Sequence, residues 1–224
     1  MGTTNGVAVI DGDDEQRRGV VRLMESVGIQ TTAYESAESF LENDPDEAGC
    51  VVTEMRMPGM SGLQLQEELT GRDVRVPLIM VTGFADVPAA VRSMKAGAFD
   101  FIERPFSPQL LIDAVHQALR QADARRRAQE EAADVRARFA SLTARERQVF
   151  RLVAGGTSNK NIARQLDLSE KTVEFHRSKV MAKMRAESVA DLVRLSLQCP
   201  RPAPADQLRS GPVMRELGIS LLHA

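Results

Sequence analysis

Apolar residues follow two alternating rhythms along the first half of the chain. Short apolar runs at 7–10, 31–34, 50–53, 77–81 and 99–102 read as β-strands. Between them, apolar positions recur every three or four residues, the spacing of an amphipathic helix. Val20, Val21, Leu23, Met24 and Val27 mark the first such helix, which Gly28 ends. A second starts at Ser36 and runs to Leu41, with Ser36 as its cap, and others cover 63–69 and 87–96. From Pro108 the helical spacing continues without Gly or Pro to Ala140. Strand–helix alternation of this kind predicts an α/β doubly wound parallel sheet of five strands with helices on both faces.

Beyond residue 140 the rhythm is helical throughout. Thr143 and Glu146 form a capping box before Val149, Phe150, Leu152 and Val153, and Gly155-Gly156 closes that helix. A second helix covers 159–166, and Asp167-Leu168-Ser169 is a tight turn. A third helix, capped by Ser169, runs to about Met184, and a fourth follows Ser188. Two short helices across a three-residue turn predict a small all-α helix-turn-helix domain. On the third helix Val173, Val180 and Met184 share one face, while Lys171, Phe175, Ser178 and Ala182 share the opposite one. The expected organisation is a first domain over 1–122, a helical linker over 123–140, the helix-turn-helix domain over 141–199 and an extended, mobile tail over 200–224.

The linker carries opposite charges four apart at Arg126/Glu130, Arg127/Glu131 and Asp134/Arg138, which supports a long exposed helix. It reads equally as a dimerising signalling helix or as a solvated connector. The tail begins with three prolines in CPRPAPAD, and VMRELGISLL within it has the pattern of a short helix.

Charge sharpens this division. The net charge is −2, yet residues 1–124 hold 10 basic and 20 acidic side chains, and residues 141–199 hold 11 and 6. A basic second domain is expected to face an anion. No apolar run approaches the roughly 18 residues of a membrane span. The N-terminus lacks the basic start and apolar stretch of a signal peptide. Cys50 and Cys199 match no zinc or redox spacing, and a cytoplasmic setting is expected.

In a doubly wound sheet the working site lies beyond the carboxyl ends of the strands. Asp11 and Gly12 follow the first strand, Glu54 the third, Thr82 the fourth, and Arg104-Pro105 the fifth. Two carboxylates, a hydroxyl and a cation on one rim suit either a hard cation with a phosphoryl group or a plain salt-bridged acidic rim. On the helix-turn-helix domain, small, polar and basic side chains on the outer face of the third helix suit the major groove of double-stranded DNA. Lys171, Thr172, Glu174, Phe175, Arg177, Ser178 and Lys179 are the candidates there, with Asn159, Lys160 and Lys183 as further phosphate contacts. An exposed Phe175 fits a thymine methyl, or packing against a neighbouring helix or partner. No nucleophile–base pair or cofactor loop points to an enzyme.

The segments VAVIDGDDEQRR, CVVTEMRMPGMSGLQL and MVTGFADVPAAVRSMKAGAFDFIERPF together resemble the receiver domain of a two-component response regulator. The resemblance implies a flavodoxin-like fold, a pair of acidic residues holding Mg²⁺, an Asp that takes phosphate from a histidine kinase, and a Thr and a Lys that contact the phosphoryl group. Gly12 stands at the second acidic position, Glu54 at the phosphoacceptor position and Arg104 in place of the Lys, while Asp11 and Thr82 are retained. Phe101 fits the aromatic position coupled to Thr82 in that family.

Losing a carboxylate at Gly12 predicts weak or absent Mg²⁺ binding, because that ion demands near-octahedral oxygen ligation. Arg104 is expected to pair with Glu54 or Asp11, leaving a receiver independent of phosphorylation. The alternatives are a working phosphorelay receiver, or a module that binds a partner protein. Whether Glu54 is native or an engineered replacement is open on the sequence alone, though engineering there would not account for Gly12 and Arg104.

The stretch SLTARERQVFRLVAGGTSNKNIARQLDLSEKTVEFHRSKVMAKMRAESVADLV resembles the LuxR-type DNA-binding domain of FixJ/NarL response regulators. That resemblance implies base reading by the third helix near Glu174, Phe175 and Ser178, and a homodimer on an inverted repeat.

Overall fold

The computed structural model describes residues 6–43, 45–83 and 87–200. The tail expected over 200–224 lies outside them, apart from Pro200. The chain divides into two compact units that part between Ala128 and Gln129.

In the first unit the described residues form a five-stranded parallel sheet in the order β2-β1-β3-β4-β5. The strands are β1 (Val7–Ile10), β2 (Thr31–Tyr34), β3 (Cys50–Glu54), β4 (Leu78–Thr82) and β5 (Asp100–Glu103). β4 and β5 begin one residue later than the apolar runs suggest. Pro77 precedes β4 because it has no N–H to give to a ladder. At the other end Thr82 pairs with Glu103, which carries both strands one residue further.

Helices α1 (Asp14–Ser26), α2 (Ala37–Leu41), α3 (Gly62–Gly71), α4 (Val87–Lys95) and α5 (Pro108–Ala140) connect and follow the strands. Ser36 caps α2 as expected, accepting from the Ser39 N–H at 3.1 Å.

The two-residue alternation of a strand sorts the core onto two faces. Val7, Val9, Val52, Ile79, Val81 and Ile102 pack with Val20 and Met24 of α1 and Leu111 and Val115 of α5. Ala8, Ile10, Val51 and Met80 pack with Phe40 of α2, Leu65 and Leu69 of α3, and Ala89 of α4. Chain order reverses at β1/β3, so a crevice opens at the carboxyl ends of these strands.

α5 is one helix of 33 residues. Its early turns supply Leu111, Val115 and Ala118 to the first core. Its last turns supply Val135 and Phe139 to the second core, so that core begins ahead of residue 141. The Phe139 and Phe150 rings meet edge to face, with centroids 5.3 Å apart. The expected Asp134–Arg138 pair is present, and Arg126 also bonds Asp123 at 3.1 Å.

The second unit continues with α6 (Ala144–Ala154), α7 (Asn159–Leu166), α8 (Glu170–Met184) and α9 (Val189–Ser196). The Thr143/Glu146 capping box is formed, and Gly156 takes a φ of 79°, which suits glycine past a helix end. Between α7 and α8, Asp167 adopts the left-handed conformation and the Ser169 hydroxyl accepts from the Thr172 N–H at 3.1 Å. Val173, Val180 and Met184 are fully buried, as the periodicity of α8 requires.

Candidate functional site: a guanidinium bridge and a recognition helix

At the carboxyl end of the sheet, Asp11 and Glu54 stand on the adjacent strand ends of β1 and β3, and both are buried. Arg104, just past β5, reaches between them. One of its terminal nitrogens donates to Glu54 Oε2 at 2.5 Å and the other to Asp11 Oδ2 at 3.0 Å. The guanidinium thus uses two separate nitrogens of its rigid planar fork, one on each carboxylate.

The remaining oxygens have partners as well. Glu54 Oε1 accepts from the Met55 N–H at 2.8 Å and the Arg56 N–H at 3.2 Å, and Asp11 Oδ1 accepts from the Asp13 N–H at 2.9 Å. Arg104 is held from its backbone by an N–H bond of 2.8 Å to the Thr82 carbonyl. Its peptide bond to Pro105 is cis.

Gly12 is exposed beside this bridge. A Cβ there would lie 3.0 Å from Cδ of Pro58 in the β3–α3 loop, so any side chain requires the ring to yield. Thr82 is fully buried, and Phe101 packs half-buried against the core that contains Met80 and Ala89. The structure therefore brings Asp11, Glu54 and Arg104 into contact, with Thr82 joined through its backbone. Gly12 flanks them, and Phe101 belongs to the adjoining core.

Three contributors escaped the sequence reading. Arg17 donates to the Asp11 carbonyl at 2.7 Å, Pro58 crowds Gly12, and Glu38 accepts from the Met60 N–H at 2.8 Å. The backbone at its own position, and then the Met60 N–H, hold the Glu38 carboxyl below its ordinary pKa of 4.5. Arg17 and Pro58 act through backbone and van der Waals contact, which leave no charge pattern in a sequence.

On the second unit, α8 turns a polar face to solvent. Lys171, Glu174, Phe175, Ser178 and Lys179 are exposed, and Thr172 and Arg177 are partly so. The Thr172 hydroxyl lies 2.7 Å from that of Ser169, so it belongs to the cap of α8. Arg177 donates to Asn159 Oδ1 at 2.9 Å, joining α8 to the start of α7, where Lys160 is exposed.

Lys183, a candidate phosphate contact, is engaged within the domain. Its ammonium bonds Glu146 Oε2 at 2.7 Å and the Ser141 carbonyl at 3.4 Å, so it staples α8 to the capping box of α6. That ammonium, together with the Thr143 N–H, holds the Glu146 carboxyl below its ordinary 4.5. Arg138, besides its expected pair with Asp134, donates to the Met184 carbonyl at 3.1 Å and so caps the end of α8.

Fold and site together define a receiver coupled to a helical DNA reader. Comparison with known proteins gives the same division. Residues 7–116 match the family model "Response regulator receiver domain", and residues 140–196 match "Bacterial regulatory proteins, luxR family". The chain is 44% identical to nodulation protein W of Bradyrhizobium diazoefficiens over 85% of its own length and 84% of that protein. It is also 44% identical to the transcriptional regulatory protein FixJ of Azorhizobium caulinodans, over 89% of this chain and 95% of that one.

Among solved structures, the response regulator StyR superposes with a TM-score of 0.79 at 41% identity, covering 86% of this chain and 98% of that one. Full-length FixJ from B. japonicum gives 0.54 at 40% identity, covering 88% and 98%. The chain belongs to the FixJ-type response regulators, a receiver domain followed by a LuxR-type DNA-binding domain, and is a transcriptional regulator.

Proposed function

We propose that this chain is a sequence-specific DNA-binding regulator whose receiver is held in one conformation without phosphate or metal. The Arg104 bridge between Glu54 and Asp11 carries this reading. In the receiver family an acidic pair binds Mg²⁺ and an Asp accepts phosphate. Here Glu54 and Asp11 already satisfy one guanidinium, and position 12 offers no carboxylate.

Mg²⁺ needs near-octahedral oxygen ligands and dehydrates reluctantly. One strand-end Asp, and a Glu engaged by Arg104 and two backbone N–H groups, fit it poorly. Glu54 also carries its carboxylate one methylene further out than Asp. A displacement of about 1 Å is worth on the order of 10²-fold in rate.

On this reading the protein acts in the cytoplasm as a homodimer on an inverted repeat of double-stranded DNA. α8 enters the major groove, and Lys160, Lys171 and Lys179 contact phosphates. The receiver then supplies a constant conformation, or meets a signalling protein such as a histidine kinase by contact alone.

The test is incubation of the purified protein with acetyl phosphate and Mg²⁺, followed by assay for acid-labile phosphate. The expected result is none. Uptake of phosphate overturns the metal-free receiver while leaving the DNA-binding assignment intact.

A further inference from the structure

The outer face of α8 carries a large apolar side chain that phosphate contacts do not use. Phe175 is 59% exposed, on the same face as Lys171 and Ser178. It is not left to wander. The Lys179 ammonium sits 5.5 Å from its ring centroid, and the His176 ring lies at 5.7 Å, inclined by 70°. A cation over the ring and an aromatic neighbour at its side hold the ring in place. The arrangement exposes a preset apolar surface in the middle of a basic, polar helix face.

We infer that Phe175 reads the 5-methyl group of a thymine in the major groove, an inference that rests on the DNA-reading function proposed above. A phenyl ring has no hydrogen-bond donor or acceptor, so it discriminates base edges by apolar surface alone. The polar edges of guanine, adenine and cytosine lose hydration against it and gain nothing in return. Among the four bases, thymine alone presents a methyl group in that groove. Lys179 carries its cation over the ring, one helical turn from Phe175, so on this reading one turn combines a methyl contact with a phosphate contact. 5-Methylcytosine carries its methyl at the same ring position, so it is read better than unmethylated cytosine wherever Phe175 sits.

The experiment uses a duplex selected by the full-length protein from a random library. Each thymine in turn is replaced by deoxyuridine, which removes the methyl and nothing else. One thymine per half-site is expected to respond, with binding weakened about fourfold, the worth of one buried methyl. In Phe175→Ala, thymine and deoxyuridine are expected to bind alike at that position, and Phe175→Leu retains part of the difference. An unchanged thermal midpoint in both variants confirms that folding is intact, as the exposure of the ring predicts.

A wild type indifferent to every substitution overturns the inference, as does equal sensitivity in Phe175→Ala. Failure to select any duplex overturns the sequence-specific reading itself, a result distinct from selection of a methyl-blind site.

Discussion

Two carboxylates at adjacent strand ends repel one another when buried, and Arg104 is what makes Asp11 and Glu54 compatible. Taking away the cation leaves both charges uncompensated, so Arg104→Ala is expected to lower the unfolding free energy by about 3 kcal/mol in urea titration at neutral pH. Changing Glu54 to Gln in the same background recovers part of that loss, a coupling that a double-mutant cycle measures directly. Phosphate chemistry follows the same bonds. Glu54→Asp alone is expected to take up no phosphate from acetyl phosphate and Mg²⁺, because Gly12 still offers no ligand. Gly12→Asp alone meets Pro58 and also fails. Ready uptake by Glu54→Asp would show that position 12 is dispensable. The bridge was legible in the sequence because Asp11, Glu54 and Arg104 each stand at a strand end. The crowding of Gly12 by Pro58 was not, since two residues 46 positions apart meet only in the folded chain.

At the scale of elements, the C-terminal end of α8 is tied to other helices by two side-chain contacts. Lys183 bonds Glu146 beside α6, and Arg138 of α5 caps the Met184 carbonyl. The lowered Glu146 pKa gives the first contact a definite pH dependence. The folded carboxyl ionises below 4.5, so its contribution is complete above that value. It is lost as pH falls from there through the folded pKa. Thermal midpoints measured from pH 6 to pH 3 are expected to fall less steeply in Glu146→Gln than in the wild type. An equal slope would show that this carboxyl does not stabilise the domain.

Salt dependence separates the lysines of α8. Lys171→Ala and Lys179→Ala are each expected to reduce the slope of log affinity against log salt by about one. Lys183→Ala is expected to leave it unchanged, because that ammonium serves Glu146. Helical periodicity revealed the buried stripe of α8 correctly, since Val173, Val180 and Met184 repeat on one face. It makes Lys183 a candidate phosphate contact and does not reveal its ion pair, because the acidic partner lies 37 residues away on another helix. The same limit applies to α5. Val135 and Phe139 lie in a charged stretch that reads as linker, yet the second core needs both.

Across the whole molecule, an acidic α/β unit precedes a basic helical one, and that division is visible in the charge and rhythm of the sequence. The strand–helix alternation determines the parallel sheet, and the sheet determines where a rim site must lie. What periodicity does not give is the bonding at that rim, which decides whether the receiver is a switch or a strut. On the function proposed above, it is a strut. The most direct test is selection of binding sites from a random DNA library by the purified full-length protein with no phosphodonor present. The account predicts enrichment of an inverted repeat, bound with the same affinity after treatment with acetyl phosphate and Mg²⁺. Enrichment that appears only after phosphodonor is added would contradict it, and would make the receiver a working switch despite Gly12, Glu54 and Arg104.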